Sequence, residues 1–187
     1  VSISKDNKTI VSGSLDKTIK VWNLETGEEI RSLTGHKSSV LSVNISKDGK
    51  TIVSGSQDGT IKLWNLETGE EIRTLTGHKS FVYSVNISND GKTIVSGSSD
   101  NTVKVWNLET GEEIRTLIGH ESWVFSVSIS NDSKTIISGS LDKTIKVWNL
   151  ETGEEIRSLT GHDDLVFSVS ISKDNKTIVS GSLDETI

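Results

Sequence analysis

The chain has 187 residues, 32% of them hydrophobic, with no proline, cysteine or methionine and a net charge of −6. Without cysteine there are neither disulfides nor thiolate metal sites, so packing and hydrogen bonds must hold the fold. The acidic balance argues against a general nucleic-acid binder, which needs surplus lysine and arginine on one face, and no apolar run approaches the length of a membrane-spanning helix; neither nucleic acid nor membrane is expected as a partner.

Ser12-Gly13-Ser14 returns at Ser54, Ser96, Ser138 and Ser180, a period of 42 residues without slippage. The chain divides into copies at 1–42, 43–84, 85–126 and 127–168, and a partial copy at 169–187. A unit this short cannot bury its own apolar face, so the copies must stack on one another. The missing initiator methionine suggests a piece cut from a longer reading frame, and with no signal-like amino terminus the expected location is cytoplasmic.

Residues 36–77 show one copy in chain order. Val40-Leu41-Ser42-Val43-Asn44-Ile45 has apolar residues at strand spacing and ends at Asp48-Gly49, a hairpin-turn signal. Thr51–Ser56 makes a second strand, whose small residues permit close approach by a neighbouring layer. Gln57-Asp58-Gly59 turns the chain into a third strand, Thr60–Asn65. Glu67-Thr68-Gly69-Glu70 leads to Glu71–Leu75, a polar strand suited to a sheet edge. Glycine or Asp-Gly interrupts every candidate helix, so the chain is expected to be all-β, built of four-stranded antiparallel meanders.

Gly-His, then Ser-Gly-Ser-x-Asp, then Ile-Lys-Val-Trp-Asn resembles the WD-repeat β-propeller family along all 187 residues. Two features depart from that pattern. The usual Trp-Asp pair is Trp-Asn here, at Asn23, Asn65, Asn107 and Asn149, and the turn proline is missing. The resemblance implies a propeller of about 4.5 blades, and in each blade a structural tetrad in which His, Ser, Asp and Trp hydrogen-bond in series. Carried over by position, the complete sets are His36, Ser54, Asp58 and Trp64; His78, Ser96, Asp100 and Trp106; and His120, Ser138, Asp142 and Trp148. Ser12, Asp16 and Trp22 lack their histidine, and His162, Ser180 and Asp184 lack their tryptophan.

The recurring Ser, His and Asp also imitate a catalytic triad. An enzyme needs one such set in one asymmetric pocket, whereas this chain repeats it at fixed spacing with no nucleophile-elbow sequence; no catalytic residue, metal or cofactor is expected. Gly49-Lys50-Thr51 imitates the end of a phosphate-binding loop but lacks the upstream glycine.

Positions that differ between copies are where function can be written. After each Gly-His these are Ser39 and Leu41, Phe81 and Tyr83, Trp123 and Phe125, and Leu165 and Phe167. Every aromatic residue outside the tetrad positions falls among them. Two positions apart on a strand share a side, so Phe81 with Tyr83 and Trp123 with Phe125 are expected to point together. The residue before each tetrad Asp also varies: Leu15, Gln57, Ser99, Leu141 and Leu183. In the family such positions supply a partner-binding surface at the top of the ring. The alternative is that these side chains fill gaps between blades.

Three classes of function follow: a non-enzymatic scaffold binding a protein or peptide through this top face, a carbohydrate or small-ligand module, and a structural self-assembling array. Rings of this kind close with about 4 to 8 blades. The chain is therefore expected to be part of a longer propeller or, if it exists alone, to share a ring as a homo-oligomer.

Overall fold

A computed structural model describes all 187 residues, in strands and turns without a helix. The first antiparallel sheet holds β1 (Ser2–Ile3), β2 (Thr9–Gly13), β3 (Ile19–Asn23) and β4 (Glu29–Leu33). The second holds β5 (Val40–Ile45), β6 (Thr51–Ser56), β7 (Ile61–Asn65) and β8 (Glu71–Leu75). The third holds β9 (Val82–Ile87), β10 (Thr93–Ser98), β11 (Val103–Asn107) and β12 (Glu113–Leu117). The fourth holds β13 (Val124–Ile129), β14 (Thr135–Ser140), β15 (Ile145–Asn149) and β16 (Glu155–Leu159). A two-stranded sheet, β17 (Val166–Ile171) with β18 (Ile178–Ser182), completes the chain. The third strand starts one residue later than expected because Asp58 takes both the amide and the hydroxyl of Thr60.

Burial follows strand order. In the second sheet β5 is buried at Val40, Val43 and Ile45, β6 and the start of β7 are buried almost throughout, and β8 is exposed except near Leu75. The middle strands are covered on both faces by neighbouring sheets, which is why they are written in Ile, Val, Ser and Gly. On β8 the register shifts opposite Leu63/Trp64, leaving Ile72 exposed. An irregular, charged outer strand offers a poor template for edge-to-edge pairing.

The cores lie between sheets. Val11, Ile19, Val21 and Leu33 of the first sheet pack with Val40, Val43, Ile45, Ile52 and Trp64 of the second. The same arrangement joins the second to the third and the third to the fourth. Innermost strands pack in series, β1 on β5, β5 on β9, β9 on β13 and β13 on β17, with no comparable packing between β17 and β1. Close approach depends on glycine: a Cβ at Gly55 would stand 2.7 Å from Val82 Cγ1 of the next sheet.

Candidate functional site

The tetrad residues come together from four elements: His36 from the loop before the inner strand, Ser54 from the second strand, Asp58 from the turn that follows it and Trp64 from the third strand. Trp64 Nε1–H donates to Ser54 Oγ at 2.9 Å, Ser54 Oγ lies 2.8 Å from His36 Nε2, and His36 Nδ1 lies 2.9 Å from Asp58. Asp58 also accepts the Lys37 amide at 2.8 Å and the Thr60 amide and hydroxyl at 2.9 and 2.6 Å. A neutral His36 donating from Nδ1 and accepting the Ser54 hydroxyl at Nε2 satisfies every member of the series. His78, Ser96, Asp100 and Trp106 repeat the geometry, as do His120, Ser138, Asp142 and Trp148. In the first sheet Trp22 reaches Ser12 at 2.8 Å, and in the last His162 reaches Asp184 at 2.7 Å and Ser180 at 2.8 Å.

Ser–His–Asp connectivity here is that of a hydrolytic triad, Oγ to Nε2 and Nδ1 to carboxylate. The environment is different. Ser54, Ser96 and Ser138 are 0% exposed, and each hydroxyl oxygen already accepts an indole N–H. A buried oxygen so engaged has no path to a substrate carbonyl, and the arrangement works as a relay tying the loop to the sheet. Burial alone raises the Asp58 pKa, but the hydrogen bonds from Thr60, His36 and the Lys37 amide outweigh it and hold the carboxyl at about 2. Asp100 and Asp142 are likewise held low despite burial, chiefly by hydrogen bonds from His78 and His120. No group of three or more His, Cys, Asp or Glu side chains is placed to hold a metal ion.

The variable positions meet at one end of the sheets. The amide of Gln57 donates to Ser39 O at 2.9 Å, Ser99 to Phe81 O at 3.0 Å, Leu141 to Trp123 O at 2.9 Å and Leu183 to Leu165 O at 3.1 Å. These bonds set the residue before each tetrad Asp beside the loop that follows Gly-His. Leu15 is exposed, with its carbonyl near the Ser39 hydroxyl at 3.3 Å.

Phe81 and Trp123 precede their strands, and Leu41, Tyr83, Phe125 and Phe167 are each skipped in the pairing of the inner two strands. This bulge takes them out of the regular alternation, so strand periodicity does not explain why the aromatics meet. Phe81–Tyr83 and Trp123–Phe125 do meet edge-on, with centroids 6.4 and 6.2 Å apart. The shorter contacts run between sheets, Tyr83–Phe125 at 4.8 Å and Phe125–Phe167 at 5.3 Å, and Tyr83 also faces Trp123 at 6.1 Å. Five aromatic rings thus form one continuous patch across three sheets. Phe81, Trp123 and Phe167 remain 41%, 42% and 50% exposed, while Tyr83 and Phe125 are half-buried beneath them. The opposite mouth is polar, with a cavity of about 390 Å³ whose lining includes Asn44, Asn86, Asn89, Asn131, Lys5 and Lys173.

Ser42, Ser84 and Ser126 escaped the reading of the sequence. Each hydroxyl accepts a backbone N–H from the next sheet, of Val85, Val127 and Val169, at 3.1 Å. Their signal is a serine retained mid-strand between a position that varies (Leu41, Tyr83, Phe125, Phe167) and a constant valine. Asn65 Oδ1 accepts the amides of Glu67 and Thr68 at 2.8 and 2.9 Å, a role open equally to a carboxylate oxygen. Asparagine at the position usually held by aspartate therefore keeps the turn intact.

A family model described as the WDR3 first beta-propeller domain matches residues 19–187, and one described as the WD domain, G-beta repeat, matches residues 1–23. Among curated proteins, the chain is 49% identical over 41 residues to kinesin-like protein KIF21A of Homo sapiens, covering 22% of this chain and 2% of that protein. It is 40% identical over 43 residues to dynein assembly factor with WD repeat domains 1 of Mus musculus, and 37% over 43 residues to that of Xenopus laevis. Each of the latter matches covers 23% of this chain and 10% of the relative.

Proposed function

The chain belongs to the WD40-repeat β-propeller family, and from that premise we propose a non-enzymatic scaffold that binds a protein or peptide through the face bearing its variable positions. Domains of this family generally mediate protein–protein interaction and are typically non-enzymatic. The observation that carries the assignment of the face is the aromatic patch. Phe81, Tyr83, Trp123, Phe125 and Phe167 stand in contact on positions that the repeat leaves free, and Phe81 and Trp123, each with a sheet on either side, still keep about two-fifths of their surface exposed. Side chains that only sealed the gap between blades would be covered. Large rings left partly open yet rigidly supported suit the anchors around which protein interfaces are built. Leu15, Ser39, Leu41, Gln57, Ser99, Leu141, Leu165 and Leu183 complete the proposed contact surface.

Selection of peptides from a displayed random library on the native chain, followed by titration against Trp123→Ala, tests the reading. We expect affinity to fall at least about tenfold, the size of an ordinary anchor's loss, while the melting temperature moves by only a few degrees, roughly 1 kcal/mol of stability. Peptides that bind the Trp123→Ala and Tyr83→Ala chains as tightly as the native one, with severe loss of stability in those variants, would show the rings to be core fillers.

A further inference from the structure

Two rings of residues run along the same end of the sheets as the aromatic patch, and their charges change sign from one end of the chain to the other. The first ring is the residue after each Gly-His: Lys37, Lys79, Glu121 and Asp163. All four occupy the same place, because each amide donates to its tetrad carboxylate at 2.8 to 3.0 Å. The second ring is the left-handed turn residue after each tetrad Asp: Lys17, Gly59, Asn101, Lys143 and Glu185, with φ between 68° and 80°.

The two rings are adjacent across each boundary between sheets. Asn101 Nδ2 donates to Glu121 O at 3.4 Å and Lys143 Nζ to Asp163 O at 2.9 Å, so Lys17 sits correspondingly beside Lys37 and Gly59 beside Lys79. Boundary by boundary, the face carries two lysines, then one lysine, then one carboxylate, then Lys143 against Asp163 and Asp164, and finally Glu185. The remaining titratable groups near this face, the tetrad carboxylates and the Lys–Glu pairs of the outer strands, recur from copy to copy and cannot reverse the trend. Copy 2 shows that the second ring is satisfied by glycine. Lys17, Lys143 and Glu185 are held there in a backbone conformation that disfavours any residue with a Cβ.

We propose that this face is an oriented docking site for a segment of a protein partner with an apolar or aromatic centre, a carboxylate-bearing end and a lysine- or arginine-bearing end. The acidic end lies over Lys17, Lys37 and Lys79 on the first three sheets; the apolar centre and the basic end share the third to fifth sheets, the centre on the aromatic patch and the basic end on the carboxylates that flank it, Glu121, Asp163, Asp164 and Glu185. This inference rests on the top-face reading given above. Complementary charge at the rim of an apolar anchor fixes orientation and rejects wrong partners more than it adds affinity.

Fluorescence anisotropy with synthetic peptides sharing one Leu/Phe core tests it. One probe carries glutamates at one end and lysines at the other, a second lysines at both ends, and a third glutamates at both. We expect the mixed peptide to bind the native chain roughly three- to tenfold tighter than either like-charged one, as exposed charge pairs allow, with the advantage gone near ~1 M salt. The triple variant Lys17→Glu, Lys37→Glu, Lys79→Glu, folded by circular dichroism, should prefer the all-lysine peptide instead. Equal binding of the three probes, all lost in the Trp123→Ala/Tyr83→Ala variant, overturns the charge ordering and leaves the top-face reading standing. Binding that survives in that variant overturns both. If no probe binds while library-selected peptides still depend on Trp123, the partner class is wrong and the face is right.

Discussion

At the scale of single residues, the tetrad links a buried histidine to a buried carboxylate, and both make the fold sensitive to acid. Burial holds His36 below its ordinary pKa, against the pull of Asp58. Burial pulls Asp58 upward, but its hydrogen bonds win and hold it at about 2. Both folded values are therefore depressed, and in each case the unfolded chain takes up the proton first. Stability contributed by His36 starts to fall below about pH 6.5, and that contributed by Asp58 between about pH 4 and pH 2. We expect the melting temperature to decline steadily from neutral pH downward. Asp58→Asn should lower stability at neutral pH by about 1 to 3 kcal/mol, the cost of leaving His36 and the Lys37 amide poorly partnered, and should also flatten the acid limb by that tetrad's share. Thermal melts of both chains across this range check the point; parallel pH profiles would separate the tetrad carboxylates from acid unfolding.

At the scale of strands and sheets, stability rests on how closely one blade approaches the next. A Cβ at Gly97 would meet Val124 Cγ1 at 2.7 Å, Val127 Cγ1 at 3.0 Å and the Val124 carbonyl oxygen at 3.2 Å. At Gly181, the same position of the last copy, it would meet only Ser168 Oγ at 3.0 Å. Chemical denaturation should therefore show Gly97→Ala destabilised by about 1 to 3 kcal/mol, the usual cost of overpacking, and Gly181→Ala by much less; equal losses would mean the cost is not the contact between blades. This requirement was legible in the Ser-Gly-Ser of every copy, and so were the strands, since turn signals separate them and a 42-residue period forbids a self-contained core. The resemblance to the WD-repeat pattern likewise implied a His, Ser, Asp and Trp set, and the structure places those side chains within hydrogen-bond distance. Contacts between copies were not legible. Tyr83 and Phe125 lie 42 residues apart and touch only because inner strands pack side by side, and the bulge that frees them from strand alternation depends on local pairing that no residue type announces. The hydroxyls of Ser42, Ser84 and Ser126 stay hidden for the same reason, because their partners belong to the next blade.

Over the whole molecule, packing is uneven along the array. Three equivalent cores, each of nine buried residues, separate the first four sheets, whereas the core between the fourth and fifth holds four. Trp64, Trp106 and Trp148 are buried to 2% exposure or less, while Trp22 is half-buried. A linear array whose units are held by nearest neighbours opens from its weakest boundary, because losing an end unit breaks one interface and losing an inner unit breaks two. Native-state hydrogen exchange of the 187-residue chain should accordingly rank its amides. Those of β6, β10 and β14 should open last, near the global unfolding free energy, and those of β17 and β18 first, with β1 also early because it has only two paired residues. Equal protection in all five sheets would instead mean that the array unfolds as one unit. Ligand binding to the aromatic patch offers an independent handle on the same gradient. Phe167 belongs to the least-packed sheet while Tyr83 and Trp123 belong to well-packed ones, so a peptide spanning all three should slow exchange in β17 and β18 more than in β10.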